Sequence, residues 1–204
     1  IAFLGMLPFL FSAALAPAGS LNAEALGVFN HPLMALFESV SGFTSTGLTV
    51  VARAGDLPAH IQWWRSFSEW IGGIGVILLL IAVLPAERGA LNLYFSEARE
   101  EKILPTVKST VRTIWLIYIG YTVVSVGLLW LAGEPAWRAL NHGMTAIATG
   151  GFTITNDSLI STPAGVQLAY IPIMIAGAIS FLVHYRLIVE RRSPTHLWRI
   201  DEWR

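Results

Sequence analysis

Charge-free apolar runs alternate with shorter apolar segments along this chain, and the same order occurs twice. Residues 113–132 and 164–183 carry no Asp, Glu, Lys or Arg. Each run reaches the roughly 20 residues that a helix needs to cross a bilayer. A third run begins near Gln62, is densest from Trp70 to Leu84 and stops before Pro85. The opening run, residues 1–16, is too short to span and reads as the tail of a helix. Two further segments, residues 32–41 and 137–148, are also too short to cross and are expected as pore helices. The predicted organisation is a first helix–pore–helix repeat over 1–84 with a truncated first helix, a connection over 85–112, a second repeat over 113–189 and a tail over 190–204 leading to further repeats. The fold class is all-α, a membrane protein of repeated helix, pore helix, loop and helix units.

The duplication can be read residue by residue. An offset of 104 matches Ala35 with Ala139, Leu36 with Leu140, Gly47 with Gly151 and Thr49 with Thr153. A rival offset of 109 aligns Gly42-Phe43-Thr44 with Gly151-Phe152-Thr153 and gives as many identities. It sets Leu48 against Asp157 and Leu36 against Thr145, which scrambles the apolar pattern. The 104 register keeps the apolar positions in step on both sides of the glycine.

Composition narrows the class. Hydrophobic residues make up 54% and charged residues 13%, about half the charged share of an average soluble protein, and mean hydropathy is +0.61. With no cysteine, a disulfide framework or thiolate metal site is excluded, and zero net charge argues against nucleic acid as the main partner. The chain opens on Ile1, with neither a basic n-region nor a cleavage site, so it is expected to be an internal piece of a longer protein. Arg88, Arg99, Lys102, Lys108 and Arg112 lie in one connection, and Arg186, Arg191, Arg192, Arg199 and Arg204 follow the last run. Only Arg53, Arg65 and Arg138 lie on the other side, so the 85–112 connection and the tail are expected in the cytoplasm, with both loops entering from outside.

A cation leaving water must have its hydration shell replaced, and backbone carbonyls can do this. Irregular backbone at membrane depth is tolerated only where it lines a polar cavity or is buried in protein. Thr44-Ser45-Thr46-Gly47 and Ala148-Thr149-Gly150-Gly151 are uncharged, glycine-containing and placed after short helices whose negative dipole ends favour a cation. A single such stretch is a common turn; two in equivalent places point to an ion pathway.

The segment Phe37-Glu38-Ser39-Val40-Ser41-Gly42-Phe43-Thr44-Ser45-Thr46-Gly47, with Trp64-Arg65-Ser66 and Trp70-Ile71-Gly72-Gly73-Ile74-Gly75, resembles the first repeat of the TrkH/TrkG-like members of the Trk/Ktr/HKT potassium transporter superfamily. The segments 141–153 and 176–185 resemble the second. The resemblance implies a potassium-channel-like fold of four repeats, of which the chain holds two, with Gly47 and Gly151 as filter glycines. It implies potassium uptake across the bacterial inner membrane with no cofactor, K+ being the transported ion. A homodimer and a cytoplasmic TrkA-like nucleotide-binding subunit are the implied partners, besides the lipid bilayer. The charged 85–112 connection is the contact expected for that subunit. The family alternative is a sodium-coupled or Na+-permeable transporter of the Ktr/HKT kind.

Other residues carry weaker signals. Arg65 and Glu69 share a helix face at i, i+4. They either support the first loop and the outer mouth or form an interfacial ion pair among Trp63, Trp64 and Trp70, and the structural role is preferred. Glu38, a costly charge within a pore helix, is expected to hydrogen-bond the loop backbone from behind. Asp157, beside Asn156, adds negative potential at the mouth or sits in a solvated turn. Gly72-Gly73-Ile74-Gly75 favours close helix packing, and Pro172 favours a kink in the last span. His142 and His184 read as hydrogen-bonded core residues rather than proton sensors. An intramembrane serine enzyme using Ser180 and His184 is a rival class that leaves the duplicated loop without a role. A non-conducting structural subunit is another.

Overall fold

The computed structural model describes residues 1–17, 19–83, 107–179 and 184. The 85–106 part of the expected connection, Ser180, the end of the 164–183 run and the 190–204 tail lie outside the described residues. All regular structure among the described residues is helical, which bears out the all-α class.

The first helix comes in two pieces, α1 (Ala2–Gly5) and α2 (Leu7–Leu15). Pro8 stands in the first turn of α2, where its missing N–H costs no intrahelical bond. Trp64 donates its indole N–H to the Gly5 carbonyl at the interruption, 2.9 Å away. Helix α3 (Leu21–Leu26) is capped by Ser20, whose hydroxyl accepts from the Ala23 N–H at 3.1 Å. A short 3-10 turn, Gly27–Asn30, leads into the first short helix, α4 (Pro32–Phe43), which opens on a proline.

Helix α5 (Ala59–Val83) follows the first loop, and its 25 residues extend about 37 Å. Helix α6 (Val107–Leu131) contains a stretch, Arg112–Leu131, long and apolar enough to cross a membrane. It starts inside the expected connection, because Val107–Arg112 continues the helical pattern beyond the charge-free run. The second short helix, α7 (Ala136–Ile147), packs against α8 (Ala164–Ala178), which carries Pro172 in its interior.

The described helices fall into two compact units. The unit formed by Ile1–Ile74 with Tyr121–Ala178 contains both short helices and both loops. Its first-repeat core gathers Phe9, Leu26, Phe29, Ala35, Val51, Ala54, Leu57 and Ile61, with the Phe9 and Phe29 rings 4.7 Å apart. Small residues allow close approach there. A side chain on Gly42 would collide with Ser68, and one on Gly72 would stand 2.6 Å from the Phe43 carbonyl oxygen. The expected packing role of the Gly72 motif is thus visible at Gly72. In the other unit, Gly75–Gly120 with Ile179–Arg204, Ile114, Ile117 and Tyr118 are buried.

The 104 register is reproduced by the backbone. Helices α4 and α7 begin at 32 and 136 and end at 43 and 147. Beyond the loops the offset becomes 105: α5 and α8 begin at 59 and 164, so the second connection is one residue longer.

Candidate functional site

Both short helices end in the same hydrogen-bonded turn. Thr46 donates its N–H to Ser41 O and Ser45 donates to Gly42 O, at 2.9 Å each. Gly150 donates to Thr145 O at 3.0 Å and Thr149 to Ala146 O at 3.1 Å. This is the Schellman arrangement, which requires a left-handed residue just past the helix, usually glycine. Here Ser45 (φ 51°) and Thr149 (φ 52°) take that place, 104 residues apart. A non-glycine residue held there costs about 1–3 kcal/mol, and such strain gathers at functional sites. The 109 register pairs neither residue with its counterpart.

The loops that follow touch each other. Gly47 has φ 75°, and a Cβ placed on it would overlap the backbone of Gly151 and stand 3.2 Å from Glu69 Oε1. Only glycine lets the two backbones lie side by side. A Cβ on Gly150 would overlap the Glu69 carboxyl. Thr44, Thr46, Thr149 and Gly151 are exposed, Ser45, Gly47 and Gly150 half-buried, and Ala148 buried.

Four N–H groups in and just beyond the loops are held by buried side chains. Gly151 N–H donates to Glu69 Oε1 at 2.8 Å, and Phe152 N–H reaches the same carboxylate at 3.2 Å from Oε2. Val50 N–H donates to Glu38 Oε2 at 3.0 Å, and Ile154 N–H to His142 Nε2 at 3.2 Å. The carbonyls of Thr44, Ser45, Thr46, Gly47, Ala148, Thr149, Gly150 and Gly151, in contrast, accept no hydrogen bond from any described residue. These N–H donors are tied to the scaffold and the acceptors are left open. That division suits a cation, which needs oxygen lone pairs and repels N–H groups.

Helix α5 supplies the ties. Arg65 is 1% exposed and Glu38 and Glu69 are fully buried. Arg65 Nε donates to Glu38 Oε1 at 2.7 Å, Nη2 to Thr49 Oγ1 at 3.1 Å and Nη1 to the Thr153 carbonyl at 2.9 Å. Its guanidinium lies 4.2 Å from the centre of the Phe152 ring. One side chain therefore holds both loops. Ser45 Oγ donates to the Glu69 carbonyl at 3.0 Å, tying the strained residue to the same helix.

This corrects the expected interfacial pair: Arg65 bonds with Glu38, and Glu69 faces the N–H groups of the second loop. Arg65 and Glu69 do share a helix face, but a rise of one turn carries the two heads to different partners. Glu38 does bond the loop backbone from behind, and Thr49 Oγ1 donates to its Oε1 at 2.7 Å.

Asp157 stands apart from the loops' contact. Its Oδ2 accepts the Ser161 N–H at 3.0 Å, and hydrogen bonding by Ser161 holds its carboxyl below the usual range. Asn156 links the repeats, accepting from Gly55 N–H at 2.7 Å and donating to Asp56 Oδ1 at 3.2 Å. With Trp137 and Arg138 these residues line an open cleft of about 480 Å³.

His142 is a hydrogen-bonded core residue, as the sequence suggests, while its partners Glu134 and Tyr170 carry no signal there. His142, 104 residues after Glu38, has its Nδ1 2.7 Å from Glu134 Oε1. Tyr170, 105 residues after Arg65, donates its hydroxyl to the Glu134 carboxylate at 3.2 Å. A repeated Pro-Ala-x-x-Gln (Pro58 to Gln62 and Pro163 to Gln167) was the available signal for the change of offset. Gln62 Nε2 donates back to Ala54 O at 3.3 Å and Gln167 Nε2 to Leu159 O at 2.9 Å.

Paired short helices, loops with uncovered carbonyls and bilayer-length helices define a pore-loop membrane protein. More narrowly, the chain belongs to the TrkH family of cation transport proteins, whose family model matches residues 18–198. It is 34% identical over 208 residues to the Trk system potassium uptake protein TrkH of Escherichia coli, covering 98% of this chain and 40% of that one. A cation transporter of Methanocaldococcus jannaschii is 43% identical over 159 residues, covering 77% of this chain and 33% of that protein. The crystal structure of the potassium transporter TrkH from Vibrio parahaemolyticus superposes with a TM-score of 0.67 at 27% identity, covering 93% of this chain and 39% of that one. The chain thus spans well under half the length of these relatives.

Proposed function

We propose that this chain supplies two pore loops of a potassium-uptake protein. Dehydrating monovalent cations bind at Thr44, Ser45, Thr46 and Gly47 of one loop and at Ala148, Thr149, Gly150 and Gly151 of the other. The observation that carries this reading is the row of unbonded carbonyls, backed by N–H groups tied to buried side chains. Glu38, Arg65 and Glu69 fix the loops without touching the ion; Asp157 contributes negative potential farther out. A monovalent cation gains about 2.3 kcal/mol per 100 mV on moving inward, so accumulation needs no chemistry on the ion. The potassium-uptake names of the relatives support K+ as cargo.

In the complete protein two further repeats close the ring, in the bacterial inner membrane. The loops face outside, and the 85–112 connection and the tail face the cytoplasm. There the connection meets a TrkA-like nucleotide-binding subunit, and two copies of the transporter pair as a homodimer. Copurification with and without charge reversal in the connection tests that contact.

The decisive assay is rubidium uptake by the complete protein in a host deficient in potassium uptake, with and without excess sodium. Gly47→Val and Gly151→Val are expected to abolish Rb+ uptake while the protein still reaches the membrane. Unchanged uptake in both variants would refute the pore-loop reading and favour a structural subunit.

A further inference from the structure

One face of α5 joins the first repeat to the second, and the equivalent face of α8 is uncovered. On α5, Gln62, Ser66 and Glu69 fall at i, i+4 and i+7 and are 7%, 1% and 0% exposed. Gln62 Oε1 accepts the indole N–H of Trp137, the second residue of α7, at 2.9 Å. Glu69 accepts from Gly151 and Phe152 in the second loop. Helix α5 thus receives the next repeat at two levels, its short helix at one and its loop at the other.

The 105 offset carries these positions to Gln167, Ile171 and Met174. They share a face of α8 and all are exposed, Ile171 to 52% and Met174 to 53%. Between them, Tyr170 turns into its own repeat to bond Glu134, where Arg65 crosses to Thr153 of the next.

The two glutamines are oriented alike. Gln62 Nε2 donates to the carbonyls of Ala54 and Gly55 at 3.3 and 3.2 Å, and Gln167 Nε2 to those of Leu159 and Thr162 at 2.9 Å each. A carbonyl only accepts, so in both side chains the NH2 faces its own repeat and the oxygen is presented outward. At Gln62 that oxygen meets Trp137; at Gln167 it meets no donor among the described residues.

The other end of the pair is uncovered in the complementary way. Leu33 is the second residue of α4, as Trp137 is of α7, and it is 76% exposed. The first repeat has a free face for insertion and the second a free face for receiving, the mark of units joined head to tail. The chain also covers only 40% of its Escherichia coli relative, which leaves length for more units.

We propose that Gln167, Ile171 and Met174 are the seat of a third copy of the helix–pore–helix unit, supplied by the rest of the complete protein. Gln167 Oε1 accepts a side-chain N–H or O–H from the first turn of that unit's short helix, as Gln62 accepts from Trp137. Met174 meets the third loop where Glu69 meets the second, so α8 offers no carboxylate to that loop's N–H groups. The two joints are equivalent in place and different in chemistry. This inference rests on the pore-loop reading.

The test is crosslinking in the complete protein, freed of other cysteines and given a protease site between the second and third repeats. Gln167→Cys is paired with single cysteines along the third short helix, and Met174→Cys with single cysteines along the third loop. A short reducible bis-methanethiosulfonate reagent joins them, with Gln62→Cys and Trp137→Cys as the calibrating pair. Gln167→Cys is expected to crosslink at the first turn and Met174→Cys just past the loop, holding the cleaved halves together until reduction. Leu168→Cys, about a quarter-turn around α8, is expected to give no crosslink. Crosslinks that join two copies of the protein, that form from Leu168→Cys instead, or that fail at every position overturn the seat. Gln167→Leu and an apolar replacement of the first-turn donor should shift the unfolding midpoint non-additively, and additive shifts overturn the hydrogen bond. Gly151→Val separates the two readings: if it transports Rb+ normally, the pore-loop reading fails; if it is dead while Gln167→Cys does not crosslink, only the seat fails.

Discussion

Replacing Arg65 by methionine removes the side chain that joins the two loops. Arg65 is buried and gives three hydrogen bonds, to Glu38, Thr49 and the Thr153 carbonyl. Methionine fills much of the volume but leaves Glu38 as a fully buried charge without its cation. Breaking a buried pair from one side costs about 3–5 kcal/mol. The lost contact with the Phe152 ring, 4.2 Å away, adds about 0.5–2 kcal/mol. Removing the charge at Glu38 as well should recover part of this, since the amide oxygen introduced by Glu38→Gln still accepts from Thr49 or Val50. The Glu38→Gln/Arg65→Met cycle is therefore expected to show a coupling of about 2 kcal/mol, within the usual range for touching residues. Arg65→Lys keeps the charge but lacks the planar fork, so it should keep more stability than Arg65→Met yet lose Na+ discrimination. Equilibrium unfolding of the complete protein in mild detergent at fixed K+ measures the first quantity, and Rb+/Na+ competition the second. An Arg65→Met protein within about 1 kcal/mol of wild type, and equally selective, would show that the guanidinium does not hold the loops.

Thr149→Gly should relieve the left-handed strain and raise stability by about 1 kcal/mol, seen as a higher unfolding midpoint, while selectivity falls because the loop is less rigid. Gly150→Ala drives a methyl into the Glu69 carboxyl, so it should lower K+ selectivity more than Ala148→Gly does in the same uptake assay. Asp157→Asn should lower uptake at neutral pH only slightly, and less at higher ionic strength, since its carboxylate is exposed, bonded to Ser161 and acts on the ion only through a screened potential. Its depressed ionisation stabilises the turn above the unfolded carboxylate range and is lost as pH falls through the folded value, so the variant should differ from wild type only where Asp157 is ionised.

The order of helices and the position of both loops were legible because each rests on local signals. Apolar runs gave the helices, and Thr, Ser and Gly after short segments gave the loops. The choice of offset depended on keeping Leu36 opposite Leu140, and the matched left-handed residues Ser45 and Thr149 follow from the same alignment. What was not legible is contact at long range. Glu69 reaches Gly151, 82 residues away, and no sequence spacing announces it. The correspondence of Glu38 with His142 is also invisible to identity matching, since a carboxylate and an imidazole share only the ability to accept a hydrogen bond. Arg65 and Tyr170 hide in the same way, and the extra residue before Pro163 moves them out of the 104 register.

The most direct measurement is an anomalous-difference map of the complete protein equilibrated with Rb+ or Tl+. The account predicts ion density against the carbonyls of Thr44 to Gly47 and Ala148 to Gly151, with none beside Glu38 or Glu69. Density confined to the carboxylates, or its absence between the loops under conditions that support transport, would contradict it.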